Sequence, residues 1–452
     1  MINPKVAFVG FGEVNTPKEI IQEKCDQAIQ WLTSSGLDVS STAPVCDDPA
    51  GETARRAISE LSGGNFDILI ACVAGWIPSH AVVRVLSEFR HFPIILWGLS
   101  GRTEGGRLVT TADQAGTTAL RQTLEDLGFT FRYIPNFQDA APRVDEITRF
   151  ARAASAARAL RTSKIGMMGY RDMNLYNTLH DGVSLRKQLG VEIEFFEMLE
   201  MVQRSEKVDP ADVASVLARI RDKWTFEKPP NDKGLEQGIK YYLAIREIVK
   251  ERKFQGISLT DVDGMKKLLQ FPPAMVFMLL ADELSVCTIP ENDSLGAVTQ
   301  LITRALTGQI GAYLEFYEFF SNGALLGVPD YVPSEIVDGP VRVSPSSFGL
   351  IAGGLLNVSR LKTGLVTLCR LAQRRGQYVL HIALGDARTP RAWEEAGWTP
   401  PAPQLPGIEF VLHGDMEEFS QNVMGQHYIV SYGDNTAVLK EFSRLNGLEV
   451  IG

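Results

Sequence analysis

The sequence predicts an α/β protein with two tandem doubly wound α/β domains, followed by a C-terminal, mainly β domain with a barrel-like strand pattern. Three observations predict it. From residue 5, short apolar runs alternate with amphipathic helical stretches; the same alternation begins again at residue 164; and beyond about residue 325 strand-like runs separated by turn residues take over. A chain of 452 residues is long enough for two or three domains. We place them at 1–160, 161–325 and 326–452.

The first predicted domain alternates strands and helices. Its buried-strand runs are KVAFVGFG, FDILIACVAGW and FPIILWGLSG, and its intervening helices are PKEIIQEKCDQAIQWLTSSG and SHAVVRVLSEFRHF. Near-continuous apolar strands separated by helices favour a parallel sheet covered on both faces. A helix rich in Ala and Arg at residues 146–163 closes this domain.

The second predicted domain alternates strands and helices, whereas the third consists mainly of strands. The second contains the strand candidates KIGMMGY, VEIEFFE and GISLTD, with helices between them. The third contains the strand-like runs VRVSP, QYVLHIALGDA, GIEFVLHGD and HYIVSYGD. The proline-rich stretch 390–407 is predicted to be a loop, and the basic run RLAQRR at residues 370–375 is interpreted as a solvated helix face.

Composition excludes several function classes. The net charge of −9 and the pI near 5.4 disfavour binding to nucleic acid or to acidic membranes. Apolar runs such as 275–281 are too short to span a bilayer, and the N-terminus lacks the pattern of a signal peptide. Five scattered cysteines without a CxxC pair are typical of reduced thiols, so we expect a cytoplasmic protein.

Familiar catalytic motifs are missing from the sequence. The six histidines form neither HxH nor HExxH, and neither a GxSxG elbow nor a Walker loop occurs. GFGE at residues 10–13 follows a strand, but the complete GxGxxG fingerprint is absent. Histidine-rich zinc chemistry and dinucleotide binding are therefore not supported.

The stretch ENDSLGA at residues 291–297 offers carboxylates just before an apolar helical run. Glu315 follows Glu291 by 24 positions, with a helix, a Thr-Gly stop and a strand between them. A strand that returns to the sheet after the helix would bring the two carboxylates to one edge of it, and His427, which begins a strand in the last domain, could reach that edge across a domain boundary. Two carboxylates and one imidazole would suit Mn²⁺ or Mg²⁺ better than zinc or copper. Single Glu and His residues are more often surface or capping groups, and Asp293 is predicted to cap the helix.

These segments, together with MGQHYIVSYGDNTAVLKEFSRLNGLEV, resemble the L-fucose isomerase family and its L-arabinose isomerase relatives. The resemblance implies a metal-dependent aldose–ketose isomerase in which Glu291, Glu315 and His427 bind Mn²⁺ and the two carboxylates exchange protons with an open-chain sugar. It also implies a homo-oligomer with sites near subunit interfaces. The sequence departs from the family pattern in two places. Glu315 stands at a position where L-fucose isomerases have an Asp. Residues 325–336 lack a His where the arabinose branch places further ligands, although Asp330 is a candidate ligand there.

Further residues are candidates for binding the sugar: Asn292 and Gln426 beside two proposed ligands, Trp76 at the end of a strand in the first domain, and Arg171 after the first strand of the second. A neutral deoxysugar and an anionic hexose such as sulfoquinovose both stay open, because Arg171 and Arg84 could pair with an anion. The sequence does not decide which carboxylate takes the carbon-bound proton. A non-catalytic sugar-binding protein and a degenerate isomerase relative are the alternatives.

Overall fold

The computed structural model describes residues 3–328, 331–348, 351–394 and 405–452. The chain divides into two compact units, one reaching Arg158 and the other running from Ala159 to Gly452. The second and third predicted domains both fall in the second unit, so the three-domain division stays a prediction. No helix in the described ranges is long and apolar enough to cross a membrane.

The N-terminal unit is built on a five-stranded parallel sheet with strand order β2-β1-β3-β4-β7. A short antiparallel hairpin, β5–β6, precedes the fourth helix. The strands are β1 (Lys5–Phe11), β2 (Asp38–Ser41), β3 (Ile68–Val73), β4 (Ile94–Gly98), β5 (Arg102–Glu104), β6 (Arg107–Val109) and β7 (Phe131–Pro135). The helices are α1 (Lys18–Ser34), α2 (Glu52–Ser62), α3 (Ser79–Glu88), α4 (Asp113–Asp126) and α5 (Val144–Leu160).

The apolar pattern explains this arrangement. All six residues of β3 are buried, as expected for a central parallel strand covered on both faces. α1 buries Ile21, Cys25, Ala28 and Leu32, whose spacing of three to four residues places them on one stripe of the helix. The doubly wound prediction for this part of the chain therefore agrees with the strand order.

The C-terminal unit begins with a four-stranded parallel sheet of order β12-β11-β8-β9. Its strands, with the short β10, are β8 (Lys164–Met168), β9 (Glu192–Phe196), β10 (Thr225–Phe226), β11 (Gly256–Leu259) and β12 (Cys287–Ile289). Its helices are α6 (Gly182–Leu189), α7 (Met198–Ser205), α8 (Pro210–Lys223), α9 (Asp232–Arg252), α10 (Ala274–Leu284) and α11 (Ser294–Thr307), with a π-helical turn at Asp261–Lys266.

Six strands of the C-terminal unit close into an antiparallel barrel in the order β17-β20-β13-β14-β19-β18, and β18 returns to pair with β17. β21 adds in parallel to β18, and β10, β15 and β16 form a separate small sheet. The strands are β13 (Ala312–Phe320), β14 (Gly323–Gly327), β15 (Arg342–Phe348), β16 (Ile351–Asn357), β17 (Gly364–Arg374), β18 (Gln377–Arg388), β19 (Gly407–Leu412), β20 (His427–Tyr432) and β21 (Glu449–Ile451). Two helices accompany them, α12 (Met416–Gln421) and α13 (Thr436–Leu445).

Helix α11 lies between the parallel sheet and the barrel. It packs against β11 and β12 on one side and against β13, β17 and β20 on the other. Every residue from Ser294 to Thr303 is buried, because a helix covered from both sides has no solvent face. The helix thereby joins the end of the sheet, where Glu291 lies, to the barrel wall.

Two expectations need correction. The basic run at 370–375 is not a solvated helix face: Arg370 lies within strand β17 and is buried, because its partner is a carboxylate distant in sequence. The strand that carries Glu315 does not return to the parallel sheet; β13 pairs with β14 and β20 in the barrel. The overall class is therefore α/β, with parallel sheets and a closed six-stranded barrel.

Candidate active site

Glu291 lies in the short turn that leaves the carboxyl end of β12 and enters α11. Its side chain is buried, and its backbone adopts a φ of +62°. The next residue, Asn292, also has a positive φ, of +47°. Two successive non-glycine residues in this sparsely populated region store strain, which persists only where the surroundings fix the backbone.

The Asn292 side chain is one of the groups that fix this turn. Its amide nitrogen donates to the Met168 carbonyl at 2.8 Å and to Thr260 Oγ1 at 2.6 Å, at the ends of β8 and β11. Its main-chain N–H donates to the Leu259 carbonyl at 3.1 Å. The predicted sugar-binding amide thus has a structural role, which places Glu291 at the end of the sheet.

Asp293 caps α11 as predicted, accepting a hydrogen bond from the Gly296 N–H at 2.9 Å. It also forms a two-point ion pair with Arg370, in which Nη2 lies 2.9 Å from Oδ1 and Nη1 contacts Oδ2. Tyr313 donates its hydroxyl to Oδ2 of the same carboxylate at 2.8 Å. Both partners of the ion pair are 1% exposed, so this pair locks α11 to β17 inside the protein.

Glu315 and His427 stand directly opposite each other on the antiparallel strands β13 and β20. Leu314 and Tyr428 belong to the barrel core, so alternation along each strand puts Glu315 and His427 on the outer face of the barrel. His427 Nε2 lies 3.9 Å from Glu315 Oε2 and 3.7 Å from Glu291 Oε2. Two carboxylates from different layers of the C-terminal unit therefore meet at one imidazole nitrogen.

The immediate neighbours orient this triad. The Tyr313 ring stacks on the His427 imidazole, with centroids 4.2 Å apart and planes inclined by 16°. Gln426 donates from Nε2 to Glu315 Oε1 at 3.4 Å, so this predicted sugar-binding amide contacts a predicted ligand. Because Tyr313 also bonds to Asp293, one aromatic ring links the imidazole to the helix cap.

Burial controls the charge states around the triad. It lowers the pKa of His427 to about 3, so the imidazole is neutral and can offer a lone pair. Burial alone would raise the pKa of Asp293, but the adjacent Arg370 guanidinium outweighs it and holds the pKa below its usual range. The pKa of Tyr313 is well above its usual value, because of burial first and then the Asp293 charge, so its hydroxyl keeps its proton.

The triad offers two carboxylates and one neutral imidazole, which are donor types that bind a hard divalent ion. Within the described ranges, however, no group of three or more His, Cys, Asp or Glu side chains is arranged to hold a metal ion. Glu315 is 26% exposed, so its flexible side chain has room to adjust its position relative to His427.

The other residues predicted to bind the sugar are Arg171, Trp76 and Asp330. Arg171 lies in the loop after β8, donates to Asn174 Oδ1 at 2.8 Å and sits over the Tyr176 ring at 4.9 Å. Trp76 follows β3 in the N-terminal unit and is 38% exposed. Asp330 lies outside the described residues. Sugar contacts by all three stay predictions.

Sequence reasoning missed Tyr313 and Arg370, which support the triad from behind. The strand alternation of GAYLEF could have indicated that Tyr313 shares a face with Glu315. Arg370 gave no usable signal, since its partner is 77 positions away. Also missed was a buried ion pair in the π-helical turn after β11, Lys266 with Asp261, whose atoms are 3.1 Å apart.

Comparisons with known proteins identify no family. No family model matches the chain, and no curated protein matches it. Among solved structures, the chain is similar to an isoflavone reductase at 14% identity over 46% of this chain and 84% of that one, with a TM-score of 0.20. A periplasmic solute-binding protein from Actinobacillus succinogenes with bound D-allose follows at 14% identity, 68% and 92% coverage and a TM-score of 0.18. The arabinose-binding component of an ABC transporter from Shewanella sp. ANA-3 has 12% identity, 67% and 86% coverage and a TM-score of 0.17. Such low scores carry no argument about this chain.

Proposed function

We propose that this protein is a metal-dependent aldose–ketose isomerase whose acid–base pair is Glu291 and Glu315. The observation that supports it most is the approach of both carboxylates to His427 Nε2, at 3.7 and 3.9 Å, from segments far apart in sequence. The resemblance of ENDSLGA and of the final histidine segment to the L-fucose isomerase family favours the same reaction.

Glu291, Glu315 and His427 would hold a divalent ion, which we propose is Mn²⁺. Carboxylate oxygens suit such a hard ion, and the neutral imidazole adds a ligand without adding charge. When bound, the ion supplies Lewis acidity to the neighbouring carbonyl and hydroxyl oxygens of an open-chain sugar. The strained turn and the Asp293–Arg370 pair keep Glu291 in position before the substrate arrives.

The two carboxylates would carry the protons. One removes the proton from C2 of the aldose, and the electron pair of that C–H bond forms the C1–C2 double bond of an enediol while O1 gains a proton from the second carboxyl group. Return of the first proton to C1 and loss of the O2 proton to the second carboxylate give the ketose. Burial of Glu291 limits exchange of the transferred proton with water.

The substrate class can be divided by charge. Arg370 is buried and its charge is paired at two points with Asp293, so it is not available to an anionic sugar. Arg171, which lies on the loop after β8, is the candidate for that role. If the substrate is a sulfonated hexose such as sulfoquinovose, Arg171→Met should lower kcat/KM for it by about tenfold or more while leaving neutral aldoses unaffected.

The deciding experiment measures ketose formation from a panel of neutral and sulfonated aldoses, after chelator treatment, with and without Mn²⁺. Glu291→Gln should reduce turnover by at least about 100-fold, because a positioned acid–base group contributes that much. Glu318→Gln, an exposed carboxylate on the same strand as Glu315, is the matched control and should keep wild-type activity.

Metal binding is measured independently by electron paramagnetic resonance of added Mn²⁺. His427→Ala should lose stoichiometric binding, whereas Glu318→Gln should retain it. Sugar binding without any need for Mn²⁺ would instead favour a binding protein. An intact fold that neither binds Mn²⁺ nor turns over any sugar would favour a degenerate relative.

A further inference from the structure

The N-terminal unit contains a cavity of about 500 Å³ that the proposed isomerase site does not use. It lies between helix α1 and the loops that follow the carboxyl ends of β1, β4 and β7. In doubly wound sheets, ligands bind outside the carboxyl ends of the strands. The volume falls within the range of pockets that hold small molecules.

The floor of the cavity carries a buried amide with a fixed orientation. Asn136, 5% exposed, accepts at Oδ1 from Trp97 Nε1 at 3.0 Å and from the Arg143 N–H at 3.3 Å. Because the indole can only donate, the Asn136 oxygen must face it, and the amide NH₂ must face the other way. Asn136 lines the cavity, so its NH₂ can donate to a ligand oxygen there.

One wall is a buried ion pair that is open on one side. Lys24, on α1, donates to Thr111 Oγ1 at 2.8 Å and contacts the carboxylate of Asp113, which is 1% exposed. Lys24 itself keeps 14% of its side chain exposed and lines the cavity. An ammonium group has three protons, so the third can reach a ligand oxygen.

An aromatic ring and acidic groups also line the cavity. Trp31, half-buried on α1, lines the cavity together with Glu13 and Glu23. Arg102 also lines it, and its guanidinium pairs with Glu104 at 2.5 Å and with Glu23 at 3.6 Å. These groups leave little positive charge available for an anion, so phosphate esters are disfavoured.

We propose that this cavity is a second small-molecule site, separate from the isomerase triad, that binds an uncharged polyhydroxylated compound of monosaccharide size. The Trp31 ring offers a face for the C–H groups of such a ligand. Asn136 and Lys24 donate to its oxygens, and Glu13 and Glu23 accept from its hydroxyls. The site does not rest on the proposed isomerase activity.

Isothermal titration of the full chain tests this with D-glucose, D-galactose, L-fucose, D-glucitol and D-glucose 6-phosphate as probes. We expect saturable binding of at least one uncharged probe. Asn136→Asp keeps the size of the side chain and its acceptor toward Trp97 but removes the NH₂ donor, and it should weaken binding by about tenfold. Trp31→Leu removes the aromatic face and should weaken binding by a similar factor.

A matched control locates the binding. Gln138→Leu alters an exposed amide beyond β7 and should leave the titration unchanged. Thermal unfolding verifies that each variant is folded. The inference is overturned if no uncharged probe binds, if binding survives both Asn136→Asp and Trp31→Leu, if Gln138→Leu abolishes it, or if the phosphate ester binds more tightly than the uncharged sugars.

Discussion

Each unit of the protein contains a buried cation–carboxylate pair at the start of a helix, and the two pairs differ in how completely they are enclosed. Asp293, at the N-cap of α11, is held by Arg370 at two points, and both residues are 1% exposed. Asp113, in the first turn of α4, is held by Lys24, which retains 14% exposure beside a cavity. The first pair is sealed by the packing of the helix, sheet and barrel, and the second is open on one side.

The charge states follow this difference. Burial would raise the pKa of both carboxyl groups, but Arg370 outweighs it at Asp293, whereas Lys24 does not outweigh it at Asp113 and that pKa stays raised. A short contact between Lys24 and Asp113 would by itself suggest a lowered pKa. Burial outweighs that contact, since a flexible ammonium offers one point of contact where a guanidinium offers two. The sealed pair is suited to holding a site in place, and the open pair to meeting a ligand.

The largest expected effect comes from breaking the sealed pair. Arg370→Met should lower the free energy of unfolding by about 3–5 kcal/mol, because it leaves the Asp293 charge buried without its cation. Chemical denaturation measures the loss. Arg374→Met, at the exposed end of the same strand, is the control and should change stability little. Equal losses in both variants would show that the pair has no special role.

Substitution in the strained turn next to the sealed pair should give the second-largest loss of stability. Asn292→Ala should cost about 3 kcal/mol, since it removes two side-chain hydrogen bonds and places an alanine at positive φ. Asn292→Gly removes the same bonds but tolerates the backbone, so it should be about 1 kcal/mol less destabilising. Denaturation of the two variants isolates the strain, and identical losses would contradict it.

Breaking the open pair should destabilise the protein less than breaking the sealed pair, and the loss of stability should depend on pH. Lys24→Met should cost about 2 kcal/mol at pH 7.5. The pKa of Asp113 is raised in the folded state, so its ionised form is disfavoured there, and protonation at lower pH removes the need for a cation. The loss should therefore shrink as the pH falls, and it should begin to shrink above the carboxyl group's ordinary pKa of 3.8. A loss that stays constant until the pH reaches 3.8 would argue against the raised pKa.

An exposed ion pair should give the smallest loss of stability of the three kinds of pair. Arg121 and Glu125 lie one turn apart on α4, with about half of each side chain exposed. Arg121→Ala should change stability by no more than about 0.5 kcal/mol, because solvent and salt screen such a pair. Thermal unfolding at two salt concentrations checks this, and a change near that of Lys24→Met would remove the distinction between the open pair and a surface pair.

The sequence predicted the parts of the fold that rest on local patterns. Alternating apolar runs located β1, β3 and β4, and the turn chemistry of ENDSLGA correctly predicted that Asp293 caps α11. Closure of the barrel was not predictable in detail, because it depends on pairings between distant strands, such as β17 with β20. Local periodicity contains no information on such partners.

The candidate site divides in the same way. Residue type, spacing and the family resemblance together singled out Glu291, Glu315 and His427, and the structure brings them together. The predicted route was wrong, because β13 joins the barrel instead of the parallel sheet. Arg370 was missed because a buried arginine and a surface arginine look alike in a basic run. Only the long-range pairing with Asp293 distinguishes them.

The length of helix α11 also sets the relative positions of Glu291 and Glu315. It has 14 residues, about 21 Å of axial length, and it connects the turn holding Glu291 to the strand holding Glu315. Inserting one residue would rotate everything downstream by about 100° and shift it by about 1.5 Å. The 24-position interval between the two carboxylates is therefore a mechanical constraint: substitutions within the helix can be absorbed by repacking, but a change in its length cannot.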